Sequence, residues 1–300
     1  MSTVRISDRM GTDGVLHILQ NLDRRWIYLA MLVAVAGPLL AQKSFPEKPT
    51  KLVQDAFNYI EDLPEGSNVL FSLDYAPSSE GELAPMTTAL VRHCCLKRHK
   101  MFFMTLWPDG LPLLERTIKN IIETEFADQN LKEGEDYVNL GFNAGKEVVI
   151  IVMGTNIRKM FPTDINRTNL ADIPMTANIS NLRDMQLIVN ISAGNPGMKE
   201  WVQYASSPLG IPLVVGSTAV QAPQAYPYYP SQMLGLLAAI KGAAEYEAAL
   251  GIKYPKYRDP KYNDGIRRMA PQFWAHLLII GLIVLGNGIY FAERMKGGGR

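Results

Sequence analysis

Residues 271–292, "PQFWAHLLIIGLIVLGNGIYFA", contain no Asp, Glu, Lys or Arg. An uncharged apolar segment of this length can cross about 30 Å of hydrocarbon as a helix. Trp274 and Tyr290 lie near its ends, where amphipathic rings favour the lipid headgroups. The segment therefore predicts a transmembrane helix over residues 271–292, followed by a short tail over residues 293–300.

A second apolar segment, residues 26–42, is shorter and contains Gly37 and Pro38. Two arginines precede it and Ala41 suits a cleavage site, so a signal peptide is one interpretation. The long region before it and the large Leu39 favour an uncleaved membrane anchor, which we adopt. The sequence thus predicts a two-pass membrane protein with both termini on one side and a folded domain, residues 43–268, on the other.

The charges near the two apolar segments do not decide which side the domain occupies. Lysines and arginines flank both segments in similar numbers, and long domains cross membranes largely regardless of charge.

The first 25 residues carry apolar side chains at helical spacing and predict an amphipathic helix that lies on the membrane or on a partner protein. The apolar positions of that helix are Val15, Ile18, Leu19 and Leu22.

Five short apolar runs define the fold class of the central domain. They are rich in branched and aromatic residues and mostly continuous rather than alternating, which is typical of strands covered on both faces of a parallel sheet. The runs cover residues 68–75, 100–107, 147–153, 186–192 and 211–217. Residues 135–142 predict a short additional strand.

Segments of helical length separate these runs. The predicted helices cover residues 50–63, 79–98, 111–127, 196–206 and 231–250, and residues 154–184 form a long irregular connection. Strands alternating with helices predict a doubly wound α/β domain. We therefore expect a Rossmann-like or flavodoxin-like fold, with a mainly parallel sheet of about five strands, flanked by two transmembrane helices.

Several motifs of well-known enzymes are absent from the sequence. No Gly-x-Gly-x-x-Gly follows the first predicted strand, as a dinucleotide fingerprint requires. The Gly-Lys of residues 145–146 has the wrong spacing for a phosphate-binding loop, and Ser217 lacks the Gly-x-Ser-x-Gly turn of α/β-hydrolases. We therefore predict no enzymatic activity and no cofactor.

The carboxyl ends of the predicted strands carry polar residues. Ligands of open parallel sheets bind at this edge, so Asp74, Asp109, Asn156 and Ser217 are the candidate ligand-binding residues. Asp74 with Glu80 or Glu82 is the best pair of carboxylates for acid–base chemistry. The alternative is that all of these residues serve turns and helix N-termini, where the same residue types are favoured.

A cluster of His93, Cys94, Cys95 and His99 resembles a metal site at first sight. Neighbouring residues on a helix point in different directions, and no second group of Cys and His residues completes a set of four ligands. We predict no metal site. The interspersed arginines and lysines predict the exposed end of a surface helix, whose charges complement the helix dipole.

The loop "TAVQAPQAYPYYPSQ" is rich in proline and tyrosine. Proline restricts the backbone and tyrosine has few rotatable bonds, so both residues lose little conformational entropy on binding. Tyrosine is also enriched at protein interfaces. The helix predicted after this loop carries small residues at a spacing of four, which admit either another helix or the helix's own sheet. The predicted interface residues are Tyr226, Tyr228, Tyr229, Gly235, Ala239 and Ala243.

These features predict a non-enzymatic, membrane-anchored component of a larger membrane complex. Its expected partners are membrane lipids and either other subunits or further copies of itself. Nucleic acid is not an expected partner, because the net charge is only +1. The alternative is a membrane-tethered module that binds or hydrolyses a small ligand at the carboxyl ends of the strands.

Overall fold

The computed structural model describes residues 23–41 and 47–297. Residues 46–266 form one compact unit, and the apolar helices near the two termini belong to a second unit. The first apolar helix is α1 (Arg24–Ala41), which has no buried residue among those described. Both apolar helices are long and apolar enough to cross a membrane. The amphipathic helix expected over the first 25 residues lies almost wholly outside the described residues.

The compact unit is built on one six-stranded parallel sheet, which confirms the α/β class and corrects the expected strand count of five. The strand order is β3-β2-β1-β4-β5-β6, the order of a doubly wound sheet of two halves. The strands are β1 (Asn68–Asp74), β2 (Lys100–Thr105), β3 (Tyr137–Phe142), β4 (Leu187–Ser192), β5 (Leu213–Ser217) and β6 (Gly235–Ala238).

Helices cover both faces of this sheet. The helices of the compact unit are α2 (Lys51–Asp62), α3 (Glu80–Leu96), α4 (Leu111–Thr117), α5 (Glu147–Met153), α6 (Met198–Trp201), α7 (Ser207–Leu209), α8 (Ala222–Ala225) and α9 (Ala239–Lys253). The second apolar helix, α10 (Asp264–Gly297), follows α9 in the chain. α4 continues as a π-helix over Ile118–Glu125, and a second π-helix, Val202–Ser206, joins α6 to α7.

Successive side chains of each strand point to opposite faces of the sheet and pack in two separate layers. Leu70 and Phe102 lie in one hydrophobic cluster with residues of α5 and α6. The adjacent residues Phe71 and Phe103 point to the other face, where their rings stack at a centroid distance of 5.2 Å. Helices α2, α3 and α9 contact one another on that second face.

The expectation of a strand over residues 147–153 is wrong, because this segment is the helix α5. A short continuous apolar run fits either a buried strand or a buried helix, and periodicity alone does not separate them. The strand that precedes it is β3, which covers most of the short additional strand predicted at residues 135–142.

The predicted helix over residues 231–250 is wrong in its first part. Gly235–Ala238 is the edge strand β6, paired in parallel with β5, and α9 begins only at Ala239. Ala239 has a φ of 55°, so the chain turns sharply between the strand and the helix. A helix does not begin after Ser231, which lies in an exposed turn instead.

Candidate functional site

The natural ligand position of this topology is the carboxyl edge between β1 and β4, where the strand order reverses. Asp74 ends β1 and pairs in register with Ser192 at the end of β4. Ser192 in turn pairs with Ser217 at the end of β5. The structure therefore brings two predicted site residues, Asp74 and Ser217, into one row with Ser192 between them.

Asp74 is fully buried and accepts four hydrogen bonds. Its Oδ1 accepts from the backbone N–H of Leu106 at 2.7 Å. Its Oδ2 accepts from the hydroxyl of Ser72 at 2.7 Å, from Nδ2 of Asn190 at 2.8 Å and from Nε1 of Trp201 at 3.1 Å. The two oxygens thus face neutral donors from four different segments of the domain.

Burial raises the pKa of Asp74 to about 6, although all four hydrogen bonds act in the opposite direction. Taking a carboxylate out of water disfavours its charged form, and no cation in the described part of the chain contacts Asp74 in compensation. A raised pKa in the sheet crevice is a common property of catalytic acids. Asp74 differs from such a residue because its side chain has no exposed surface.

Two tryptophans close the crevice above Asp74. Trp201 of α6 is fully buried against it. Trp107, which follows β2, is half-buried, and its Nε1 donates to the carbonyl oxygen of Pro196 at 2.8 Å. A Cβ on Gly194 would lie 2.7 Å from the Trp107 ring, so the loop after β4 packs directly on that ring. The Asp74 carboxylate therefore has no exposed surface at this edge of the sheet.

Ser72, Asn190 and Trp201 are members of this network that the sequence analysis missed. A signal was present, since Ser72 and Asp74 alternate with apolar residues in β1, and Asn190 and Ser192 do the same in β4. Polar residues two apart in a buried strand share one face of the sheet and need partners there.

The other predicted ligand-binding residues are not among the hydrogen-bond partners of Asp74. Asp109 is exposed in the turn Pro108–Gly110 after β2. Asn156 follows α5 rather than a strand, so the reason for placing it at the carboxyl edge is wrong. Its side chain accepts from the backbone N–H of Arg158 and begins the short turn Ile157–Lys159. Ser217 is buried, and its hydroxyl donates to the carbonyl oxygen of Thr218 at 3.2 Å.

The proposed carboxylate pair has separate partners in the structure. Glu80 forms a salt bridge with Arg116 at 2.8 Å, and Glu82 accepts from the backbone N–H of Ala219 at 2.9 Å. Asp74 is enclosed by the donors described above. Glu80 and Glu82 lie in the first turn of α3, and their contacts hold neighbouring segments of the domain in place.

His93 and its neighbours are buried, so the expectation of an exposed helix end is wrong. Nε2 of His93 lies 2.9 Å from Glu61, and Nδ1 lies 2.7 Å from the hydroxyl of Tyr246. The hydroxyl of Tyr254 also donates to Glu61, at 2.8 Å. The hydrogen bond from His93 lowers the pKa of Glu61, while burial lowers the pKa of His93. This network joins α2, α3 and α9.

The predicted interface residues divide into buried and exposed sets. Gly235 packs against α2, and Ala243 is fully buried, so neither contributes to the surface of the domain. The hydroxyl of Tyr229 donates to Asp55 of α2. Tyr228 packs partly against the core, and Ala239 is half-buried. Tyr226 is 50% exposed and is the most accessible of the set.

Among the described clefts, one of about 80 Å³ lies at the carboxyl edge, between the loops that follow β4 and β5. Its polar lining includes Lys199, Glu200, Gln221 and Gln224. A more open cleft of about 380 Å³ lies at the opposite edge, beside the first residues of β5 and β6. No group of His, Cys, Asp and Glu residues that could hold a metal ion occurs in the described part of the chain.

The chain matches no protein-family model, no curated protein and no solved structure.

Proposed function

We propose that this chain is a non-enzymatic, membrane-anchored component of a larger membrane protein complex and that it assembles through its α/β domain. The proposal is carried by α5, in which the residues after Glu147 are apolar whether they face the core or solvent. Val149 and Ile150 are fully buried in the domain, whereas Val148 is 52% and Ile151 45% exposed. Val148 and Ile151 are three residues apart and so are neighbours on the helix surface. Adjacent exposed apolar side chains are typical of protein interaction sites, so a second protein surface is expected on this side.

The closed crevice supports the same proposal. In this fold a small ligand would lie at the carboxyl edge beside Asp74, whose side chain is fully buried and bonded to Trp201. We infer a protein subunit as the partner rather than a small molecule, because Val148 and Ile151 are exposed on a helix surface and do not line any of the described clefts. Tyr226 and the 84% exposed Val220, in the loop after β5, provide a second surface for the same assembly.

Native electrophoresis of the chain extracted in mild detergent tests this proposal. The wild-type chain is expected in a large particle, and Val148→Glu with Ile151→Glu should release it. Asn58→Glu with Asn120→Glu adds the same charge at exposed positions of other helices and should leave the particle intact. A wild-type chain that migrates as a lone monomer would overturn the proposal, and a particle of this chain alone would identify the partner as a second copy.

The alternative function, binding or hydrolysis of a small ligand, rests on the cleft at the carboxyl edge. Its volume of about 80 Å³ is well below the roughly 300–1,000 Å³ of typical ligand pockets. A reproducible thermal shift with a small polar metabolite, lost on substitution of Lys199 or Gln224, would favour this alternative.

A further inference from the structure

The segment between α9 and α10 concentrates positive charge next to the second apolar helix. Residues 253–268 contain six cationic and two acidic residues, a net charge of +4 in a chain whose total is +1. We call residues 253–263 the basic strap. It consists of two short turns, Pro255–Arg258 and Pro260–Tyr262, and ends where α10 begins.

The basic strap is folded onto the domain by its aromatic residues. Tyr257 is only 2% exposed, and Nδ2 of Asn263 donates to its carbonyl oxygen at 3.1 Å. The Arg92 guanidinium lies 5.3 Å from the ring centroids of both Tyr257 and Tyr262. Arg92 is itself held by Glu125 through two hydrogen bonds of 2.7 and 2.9 Å. The backbone of the strap is therefore ordered before any ligand binds.

The cations of the basic strap remain exposed although they contact the domain: Lys253 pairs with Glu61 at 3.4 Å, and Nε of Arg258 donates to the carbonyl oxygen of Gly251 at 2.8 Å. The side chains of Lys253 and Lys261 are 53% and 63% exposed, and Lys256 and Arg258 are also exposed. Ile252, immediately before the strap, is 65% exposed. The arrangement combines several solvent-facing cations with one apolar side chain, as in segments that bind at lipid–water interfaces.

We propose that the basic strap binds the headgroups of anionic phospholipids. This inference rests on the proposed membrane insertion of α10, since the strap precedes the apolar part of that helix by only a few residues. Clusters of Lys and Arg beside a membrane helix are attracted to anionic leaflets. Because the strap is already ordered, little conformational entropy is lost on binding.

The full chain, reconstituted in lipid nanodiscs, provides the test. One preparation contains phosphatidylcholine alone and the other contains phosphatidylcholine mixed with phosphatidylglycerol. Acylation of Lys256 and Lys261 by an amine-reactive reagent, followed by mass spectrometry, is expected to be several-fold slower in the anionic discs. High salt should abolish the difference, because surface electrostatics are screened. Lys119 and Lys132, exposed elsewhere on the domain, should react at the same rate in both lipids.

Two variants with equal charge changes sharpen this test. Neutralising the strap with K253Q, K256Q, R258Q and K261Q should remove the lipid dependence of amide hydrogen exchange within residues 253–263. The matched control K119Q, K132Q, K159Q and R167Q should retain it. Equal rates in both lipids for the wild-type strap, or protection by RNA but not by anionic lipid, would overturn the inference. A chain that fails to enter nanodiscs would instead contradict membrane anchoring.

Discussion

Glu245 and Glu247, two residues apart on α9 and each 2% exposed, bind the two ends of the folded domain. Glu245 accepts from the backbone N–H of Thr50 at 2.9 Å, just before α2. Glu247 accepts from the backbone N–H groups of Gly265 and Ile266, both at 2.9 Å, in the first turn of α10. One helix thus fixes both points at which the chain enters and leaves the domain.

Replacing Glu247 by Ala is expected to destabilise the domain. The substitution leaves two backbone N–H groups without their acceptor and opens a space in the buried face of α9. An unsatisfied buried polar group costs about 1–3 kcal/mol, so we expect a loss of at least about 2 kcal/mol in the free energy of unfolding. Urea unfolding of the full chain in detergent, followed by tryptophan fluorescence, measures this loss. Glu115→Ala, at an exposed position of α4, serves as the control and should change little.

The stability of the domain should depend on the ionisation of Asp74. Its pKa is about 6 in the folded chain against an ordinary value of 3.8, so folding favours the protonated form. The corresponding stabilisation is complete below about pH 4 and is lost as the pH rises through 6. Asp74→Asn removes this dependence, and the free energy of unfolding of the wild type relative to the variant should therefore fall from pH 4 to pH 7. Asp109→Asn, at the exposed site in the next loop, should reproduce the wild-type profile.

The hydrogen bond from the Trp201 indole contributes to the pKa of Asp74. Trp201→Phe removes one of the hydrogen bonds that lower the pKa of Asp74, so the carboxyl carbon of Asp74 should titrate at a higher pH in carbon-13 NMR spectra. Trp107→Phe is the matched control, since the Trp107 indole donates to Pro196 rather than to Asp74. An unchanged midpoint in Trp201→Phe would contradict the role assigned to this hydrogen bond.

The parallel sheet was predictable because buried strands have a strong composition signal. β1, β2, β4 and β5 appear in the sequence as apolar runs rich in branched and aromatic residues. Residues 147–153 carry the same signal but form a helix, whose exposed apolar face adds to the continuous hydrophobicity of the run. β6 was missed because it has only four residues and begins with Gly235.

The candidate site was predictable only in part, because burial and partners depend on the order of the strands. Asp74 was identified from its position at the end of β1. Its enclosure required Asn190 of β4 and Trp201 of α6, which are distant from it in sequence. For the same reason the cations around His93 indicated an exposed helix end, whereas Arg92 is bound by Glu125 and His93 by Glu61.

The hydroxyl of Tyr246 is expected to stabilise the network around His93. Because Nε2 of His93 faces the Glu61 carboxylate, it carries the proton, and Nδ1 accepts from Tyr246. Tyr246→Phe leaves this buried Nδ1 without a donor, at a cost of about 1–2 kcal/mol in the free energy of unfolding. Tyr226→Phe removes a hydroxyl from a half-exposed side chain and should have no measurable effect. Equal stability of the two variants in urea would contradict the assignment.

Gly235 allows α2 to lie directly on β6. A Cβ at this position would be 2.5 Å from Cβ of Ala56 and 2.7 Å from the carbonyl oxygen of Leu52. Since these atoms belong to or adjoin the backbone of α2, the helix has to move away from the strand to accommodate Gly235→Ala. We expect a loss of about 1–3 kcal/mol in the free energy of unfolding.

Gly251→Ala provides the matched control for this close packing. Its new Cβ would meet its nearest neighbour, Cγ of Arg258, at 3.4 Å, which is an ordinary contact distance. Alanine also favours the helical conformation of α9 more than glycine does. Gly251→Ala should therefore unfold at the wild-type urea concentration or slightly above it, whereas Gly235→Ala unfolds at a lower one. If the two variants unfold together, the contact between α2 and β6 is looser than these distances require.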